Sequence, residues 1–325
     1  MNKPAFTYTL IIIFLIFPVI SFGQSKKLVR KGKRLADPNQ RMTHFTKAIA
    51  LDSENLDAYF YRGLARANLE DHWGAILDFT TIIVKKPDAD SYYNRGSSKF
   101  ILGDYKGAYH DYAMAIRLDR DFFQAYFDLG ITLINLEKYA EALQSFLFLA
   151  NHFPNDAEIQ NQIGLTLMEL KHFKLALLFF NKSIKLNRSS NTFYNRGMAY
   201  LEMKQFKKAL TDFDKAISID KTNDAAHFYH GIAQLFSRNY AKAAASFENT
   251  LSFNALDHEA LVGLSIAYYH TNKYDKAKQY FRKAKNILWS ESNYPIDDVS
   301  LFNNTSWNLD QSNIIQAYFN KLNTL

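Results

Sequence analysis

The chain has 325 residues, 48% of them hydrophobic and 15% aromatic, which excludes a disordered polymer and allows two ordinary domains or one extended array. Only 12 glycines and 6 prolines argue against an all-β fold with many tight turns, and the absence of cysteine excludes a disulfide, a thiolate metal site and a thiol nucleophile. A formal charge of +7 raises nucleic acid as a partner, and the position of that charge decides the question.

Read from the start, Lys3 precedes an apolar run from Leu10 to Ile20. The run is too short to span a bilayer as a helix and suits the core of an export signal. Pro18 would end the helix, and Ser21-Phe22-Gly23 offers small residues around a cleavage point. Residues 1–23 are therefore expected to be a signal peptide, with the mature chain starting at Gln24. An uncleaved membrane anchor is the alternative. Export implies a bacterial envelope protein, periplasmic in the first instance, with secretion or N-terminal anchoring as alternatives. No later segment is apolar enough to cross a membrane.

The next segment, residues 24–54, begins with Lys26, Lys27, Arg30, Lys31, Lys33, Arg34 and Arg41 against Asp37 alone. The chain from Met42 onward is neutral overall. A nucleic-acid binder needs a basic face on its folded body, so none is expected here. The basic stretch reads as a solvated, partly frayed terminus. Peripheral contact with an anionic membrane through Lys26, Lys27, Arg30, Lys31, Lys33 and Arg34 is the alternative. Arg41 to Leu51 reads as the second helix of a degenerate leading unit, with Phe45 and Ala48 in register.

Residues 55–288 repeat. Gly63, Gly96, Gly130, Gly164, Gly197 and Gly231 recur every 33 or 34 residues, and Ser265 continues the series. Ala75, Ala108, Ala142, Ala176, Ala209, Ala243 and Ala277 keep the same spacing. So do Phe79, Tyr112, Phe146, Phe180, Phe213, Phe247 and Phe281, preceded by His72, Tyr105, Tyr139, Phe173, Phe206, Tyr240 and Tyr274. Within a unit the pattern is helix, turn, helix. Tyr92, Gly96 and Lys99 share one helical face, Gly103-Asp104 breaks it, and Tyr105, Ala108, Tyr112 and Ala115 mark a second face. Pro87 and Pro154 close two units, and Asp156 and Asp224 stand where helix caps are needed. Glycine inside a helix costs roughly 1 kcal/mol against alanine, so its recurrence implies a steric need. Small residues on both helices are expected to let the backbones approach, with the aromatic filling the space beside the crossing.

Beyond Ile287 the register is lost. Residues 289–309 contain Pro295, Asn303 and Asn304 and read as loop. Residues 310–325 carry Ile314, Ala317, Tyr318 and Leu322 on one face and read as a closing helix over the end of the stack.

The columns resemble the tetratricopeptide repeat, with Tyr126, Leu129, Gly130, Leu133, Ala142, Phe146 and Pro154 matching its pattern in the third unit. Two units depart from it, with Gln160 in place of an aromatic and Ser265 in place of glycine. The resemblance implies an all-α fold: an α-α superhelix, or solenoid, of about seven helix-turn-helix repeats with flanking capping helices. It implies a non-enzymatic scaffold that holds a peptide or a helix of another protein against the first helices. Phe60, Tyr93, Phe127, Tyr194 and Phe228 occupy equivalent first-helix positions and are the candidate contacts, together with Asn94 and Asn195.

Tyr93-Asn94-Arg95-Gly96 and Tyr194-Asn195-Arg196-Gly197 resemble the stretch with which some family members clamp an acidic peptide terminus. That clamp needs further cations on neighbouring first helices. The stretches 122–136, 157–170 and 224–236 have no Lys or Arg, and Phe60 and Leu64 replace the polar pair in the first unit. An acidic-terminus clamp is therefore not expected. His227 and His230 lie three apart on one helix, but no third ligand stands near and His227 fills an aromatic column, so neither metal nor cofactor is expected. No phosphate loop, nucleophile elbow or His-Glu-x-x-His motif is present, and no catalytic residue is assigned.

Overall fold

A computed structural model describes residues 22–292 and Lys321. Between residues 22 and 292 the backbone alternates helix and short turn, with no strand among the described residues. The helices divide between two compact units, residues 1–152 and 153–325.

The first unit holds four hairpins. They pair α1 (22–32) with α2 (Pro38–Leu51), α3 (Leu56–Asn68) with α4 (His72–Lys85), α5 (Ala89–Ile101) with α6 (Tyr105–Leu118), and α7 (Phe123–Asn135) with α8 (Tyr139–His152). The second unit pairs α9 (Ala157–Glu169) with α10 (Phe173–Leu186), and α11 (Ser190–Glu202) with α12 (Phe206–Ile219). It continues with α13 (Asp224–Phe236) on α14 (Tyr240–Phe253), and α15 (His258–His270) on α16 (Tyr274–Ser292). Within each unit a second helix also packs on the next first helix, as α4 does on α5 and α12 on α13. First helices touch their equivalents in the next hairpin: α3 with α5, α5 with α7, α9 with α11, α11 with α13 and α13 with α15. That contact gives each unit a side built from first helices.

The column residues form the core. Phe79, Phe146, Phe180, Phe213 and Phe247 are fully buried, as are all seven column alanines from Ala75 to Ala277. A methyl carbon built on Gly63 would lie 2.8 Å from Phe79 Cζ, on Gly130 2.6 Å from Phe146 Cζ, and on Gly164 2.5 Å from Phe180 Cε1. The glycine thus makes room for the ring itself, where the sequence suggested a bare backbone crossing with the ring beside it. Ser265 keeps its place in the column because its hydroxyl donates to the carbonyl of Ala277 at 2.9 Å.

Every repeat turn closes the same way. The second residue after the first helix takes a left-handed conformation: Glu70, Gly103, Glu137, Lys171, Lys204, Arg238 and Asn272 have φ between 58° and 79°. The next amide then donates back five residues, as Asp104 N does to Lys99 O at 2.9 Å and Gln205 N to Tyr200 O at 2.8 Å. Asp71 and Asp104 cap the second helices that follow, and Asn55, Asp88, Asp156, Ser189 and Asp257 cap first helices.

Three sequence expectations change. The basic stretch, read as frayed, is helix α1 packed on α2: Ser25 Oγ donates to Ala48 O at 2.8 Å, Val29 is buried, and Gly32 makes room for Phe45. Gly32 and Phe45 lie 13 residues apart instead of the usual 16 because Gly32 is the last residue of α1, whereas Gly63 stands well before the end of α3, which hides them from the column spacing. The cap of α13 is Asn223, whose side chain accepts from Ala226 N at 2.9 Å, whereas Asp224 is already helical. Helix α16 runs on to Ser292, so its last turn occupies the start of the expected loop. The signal segment up to residue 21, most of the 289–309 loop and the closing helix over 310–325 lie outside the described residues, save Lys321.

Candidate functional site

The arginines of the two Tyr-Asn-Arg-Gly stretches point into their own hairpins. Arg95 Nε and Nη2 donate to Asp111 Oδ2 and Oδ1 at 2.8 and 2.6 Å. Arg196 makes the same fork on Asp212 at 2.7 and 2.7 Å, and Arg62 on Asp78 at 2.9 and 2.6 Å. Each aspartate directly precedes the aromatic of its column and is buried. Arg196 Nη1 reaches Asn181 Oδ1 in the preceding hairpin at 2.6 Å. These arginines are committed to the scaffold, which removes the last cations an acidic-terminus clamp would use. The signal was present in the sequence as a 16-residue Arg-to-Asp spacing in three units.

In the first unit the candidate aromatics are half-buried and each leans on its own hairpin. Phe60 meets Phe79 edge-on at 5.9 Å, and Phe127 meets Phe146 at 5.7 Å. Tyr93 sits 4.8 Å from the ring of Phe122, and its hydroxyl donates to Asp128 Oδ2 at 2.7 Å, joining α5 to α7. Burial, together with this carboxylate, pushes the Tyr93 phenol above its ordinary value, and burial likewise raises the Asp128 carboxyl. Asn94 Nδ2 donates to Asp90 O of its own helix at 2.7 Å.

In the second unit Tyr194 packs 6.2 Å from Phe213 and 5.8 Å from Tyr229. Phe228 is only 6% exposed and lies edge-on to Phe247, so it serves the core and offers no face to a partner. Asn195 turns across to the neighbouring first helix, where its Nδ2 donates to Asn161 Oδ1 at 3.0 Å. Asn161 stands three residues before Gly164, in the position that Phe60, Tyr93, Phe127, Tyr194 and Phe228 fill elsewhere. An amide there replaces a ring and opens space. A cleft of about 440 Å³ results between α9 and α11, with Glu158, Asn161, Gln162, Leu165, Tyr194 and Asn195 among its lining residues. Gln162 Nε2 donates to Glu158 Oε1 at 2.7 Å, and the lining contains one carboxylate and no lysine or arginine.

The histidine pair is placed structurally. His230 Nδ1 lies 2.8 Å from Ser246 Oγ and His227 Nε2 lies 3.2 Å from Lys221 O. Among the described residues no group of three or more His, Asp or Glu side chains is arranged to hold a metal, and no helix is long and apolar enough to cross a membrane.

Comparison with known proteins agrees with this architecture. Tetratricopeptide-repeat profiles match residues 89–122, 157–190, 190–223 and 228–292. A search of curated proteins returns no match. Among solved structures, a tetratricopeptide repeat protein from Parabacteroides merdae has a TM-score of 0.60 at 16% identity, over 75% of this chain and 99% of that one. The C-terminal part of a repeat protein from Cytophaga hutchinsonii has a TM-score of 0.59 at 19% identity, over 75% and 99%. YrrB, described as a repeat protein with an unusual peptide-binding site, has a TM-score of 0.50 at 26% identity, over 56% and 95%. With its paired helices, glycine-on-ring core and matching profiles, the chain belongs to the tetratricopeptide-repeat family, whose members are typically non-enzymatic scaffolds for protein–protein interaction.

Proposed function

We propose that this protein is an interaction scaffold of the bacterial envelope that holds a peptide segment of a partner protein, and that the cleft between α9 and α11 is its contact site. The cleft carries this reading. It opens on the side built from first helices, and it combines polar groups with the half-buried ring of Tyr194. The peptide-binding site described for YrrB supports a peptide as ligand. Export rests on the apolar run from Leu10 to Ile20. Removal of residues 1–23 would leave Ser25, the first buried residue of α1, in place. Affinity capture from envelope extracts tests the site. Wild type is expected to retain a partner that Leu165→Asp loses while its melting curve stays near wild type. Equal recovery by both proteins would show that the partner binds elsewhere.

A second reading has its own observation. Lys26, Lys27, Arg30, Lys31, Lys33 and Arg34 are all exposed on or just after α1, and none pairs with an acid among the described residues. Lys26 and Lys33 rest instead on the rings of Phe22 and Tyr61, at 4.0 and 4.3 Å. A folded helix that presents cations on its outer side is suited to dock on an anionic membrane surface.

A further inference from the structure

The chain from Met42 onward is neutral as a whole, but its lysines are not evenly spread. Helix α10 contains no acid, and its solvent side carries Lys174, Lys182 and Lys185. The solvent side of α12 carries Lys207, Lys208 and Lys215. All are exposed, and none pairs with an acid among the described residues. The one exposed acid on either helix, Asp214, faces His230 at 3.3 Å, and Glu202 near the end of α11 acts on Lys171. Two leucines stand among these lysines, Leu175 at 49% and Leu178 at 61% exposure. Beside them a cavity of about 340 Å³ opens between the start of α10 and Met203, the cap of α11. Phe173, Leu175 and Met203 line it, and Lys171, His172 and Lys174 complete its wall.

Exposed apolar side chains set among unpaired charges of one sign suit a partner of the opposite sign. We infer that the outer face of α10 and α12 docks an acidic amphipathic helix of a partner protein, which seats one large apolar side chain in the cavity beside Phe173 and Met203 and sets its carboxylates against the lysines. The shape of the face selects a helix. Lys174, Leu178, Lys182 and Lys185 recur at steps of three and four, a ridge that fits the groove of a second helix. From Lys174 to Lys185 the ridge runs about 17 Å at 1.5 Å per residue, which matches about three turns of a partner. An extended chain would instead need acceptors for its N–H groups. Lysine only donates, and Asn181 on this side of α10 already accepts from Arg196 Nη1 at 2.6 Å. The leucines and the cavity argue against nucleic acid, whose phosphates would lie against apolar surface. The face shares no residue with the lining of the α9–α11 cleft and is tested apart from it.

The probe comes from a phage-displayed library of helical peptides with Glu on one side and Leu, Ile, Met or Phe varied on the other, selected on the full chain. The selected peptide is synthesised with a fluorophore, and its binding is followed by anisotropy. Leu178→Asp should weaken binding about tenfold, and so should Lys174→Glu combined with Lys182→Glu. Raising salt from about 50 to about 500 mM should weaken binding to wild type by a similar factor. A peptide with its Glu residues replaced by Lys should prefer the reversed variant to wild type. Leu165→Asp in the α9–α11 cleft, and Lys26→Glu with Lys27→Glu on α1, should leave binding unchanged. Melting curves near wild type confirm that each variant folds. If no peptide is selected, or if Leu178→Asp and the lysine reversal leave binding intact, the inference is overturned. If those variants instead abolish binding of a duplex DNA oligonucleotide or of phosphatidylglycerol vesicles and leave the peptide bound, the face serves a polyanion or a lipid surface and the partner-helix inference fails. A wild-type dimer in sedimentation equilibrium that Leu178→Asp dissociates would make a second copy the occupant, and the inference would fail there too.

Discussion

A carboxylate buried like that of Asp212 costs several kcal/mol in desolvation unless a partner and hydrogen bonds offset it. Arg196 supplies both through its two-pronged contact, and Arg62 and Arg95 do the same for Asp78 and Asp111. Asp212→Ala should therefore destabilise the second unit by about 3 kcal/mol, whereas replacing both partners with Arg196→Met and Asp212→Leu should cost far less. Denaturant melts of the two variants check this, and equal losses would refute it. His230 works in the opposite sense. Burial holds its imidazole below the ordinary histidine value, against the pull of Asp214 at 3.3 Å. The unfolded chain then takes up a proton that the folded chain resists. Stability from this group is full above the ordinary histidine pKa of about 6.5 and declines as pH falls below it. His230→Gln should lose less melting temperature than wild type between pH 7.5 and 5.5. These residue-scale features were only partly legible. The Arg-to-Asp spacing was readable, but the arginines resembled a ligand clamp until their partners were in view. The role of Asn161 depended on a neighbour 34 residues away.

At the scale of the hairpin the sequence spoke clearly, because the packing demand repeats. A ring from the second helix must lie over a position without a side chain on the first, so glycine and aromatic columns run in step. The turns were hidden by the same logic. All seven need a left-handed residue, but only Gly103 announces it, since the backward hydrogen bond can hold Glu, Lys, Arg or Asn in a conformation costing roughly 1–2 kcal/mol. The packing demand gives a direct prediction. Ala142 is fully buried, and Ala142→Leu adds three carbons where no space exists. Gly130→Ala places a methyl group 2.6 Å from Phe146 Cζ. Each should cost about 1–3 kcal/mol through overpacking and lower the melting temperature by several degrees. An unchanged melting curve for either would contradict the glycine-on-ring account.

For the whole molecule, charge is unevenly placed: the chain carries +7, all of it before Met42. From the sequence alone that stretch had no assigned structure, because Gly32 stands at the very end of α1 and its packing pair with Phe45 falls out of register. Once folded, α1 spends Ser25, Val29 and Gly32 on packing and leaves its cations outside. If these dock the protein on an anionic surface, each engaged lysine or arginine contributes about 1 kcal/mol at low salt. Reversing four of them, in Lys26→Glu, Lys27→Glu, Arg30→Glu and Lys31→Glu together, should abolish sedimentation with phosphatidylglycerol vesicles. Wild type should sediment at 50 mM salt, be released as the Debye length falls toward 3 Å near 1 M, and ignore neutral phosphatidylcholine vesicles. Because these side chains are exposed and make no ion pair, the melting curve should barely change, which separates loss of docking from loss of fold. Sedimentation of the reversed variant at the wild-type level would remove the membrane reading and leave the cleft of the second unit as the protein's contact surface.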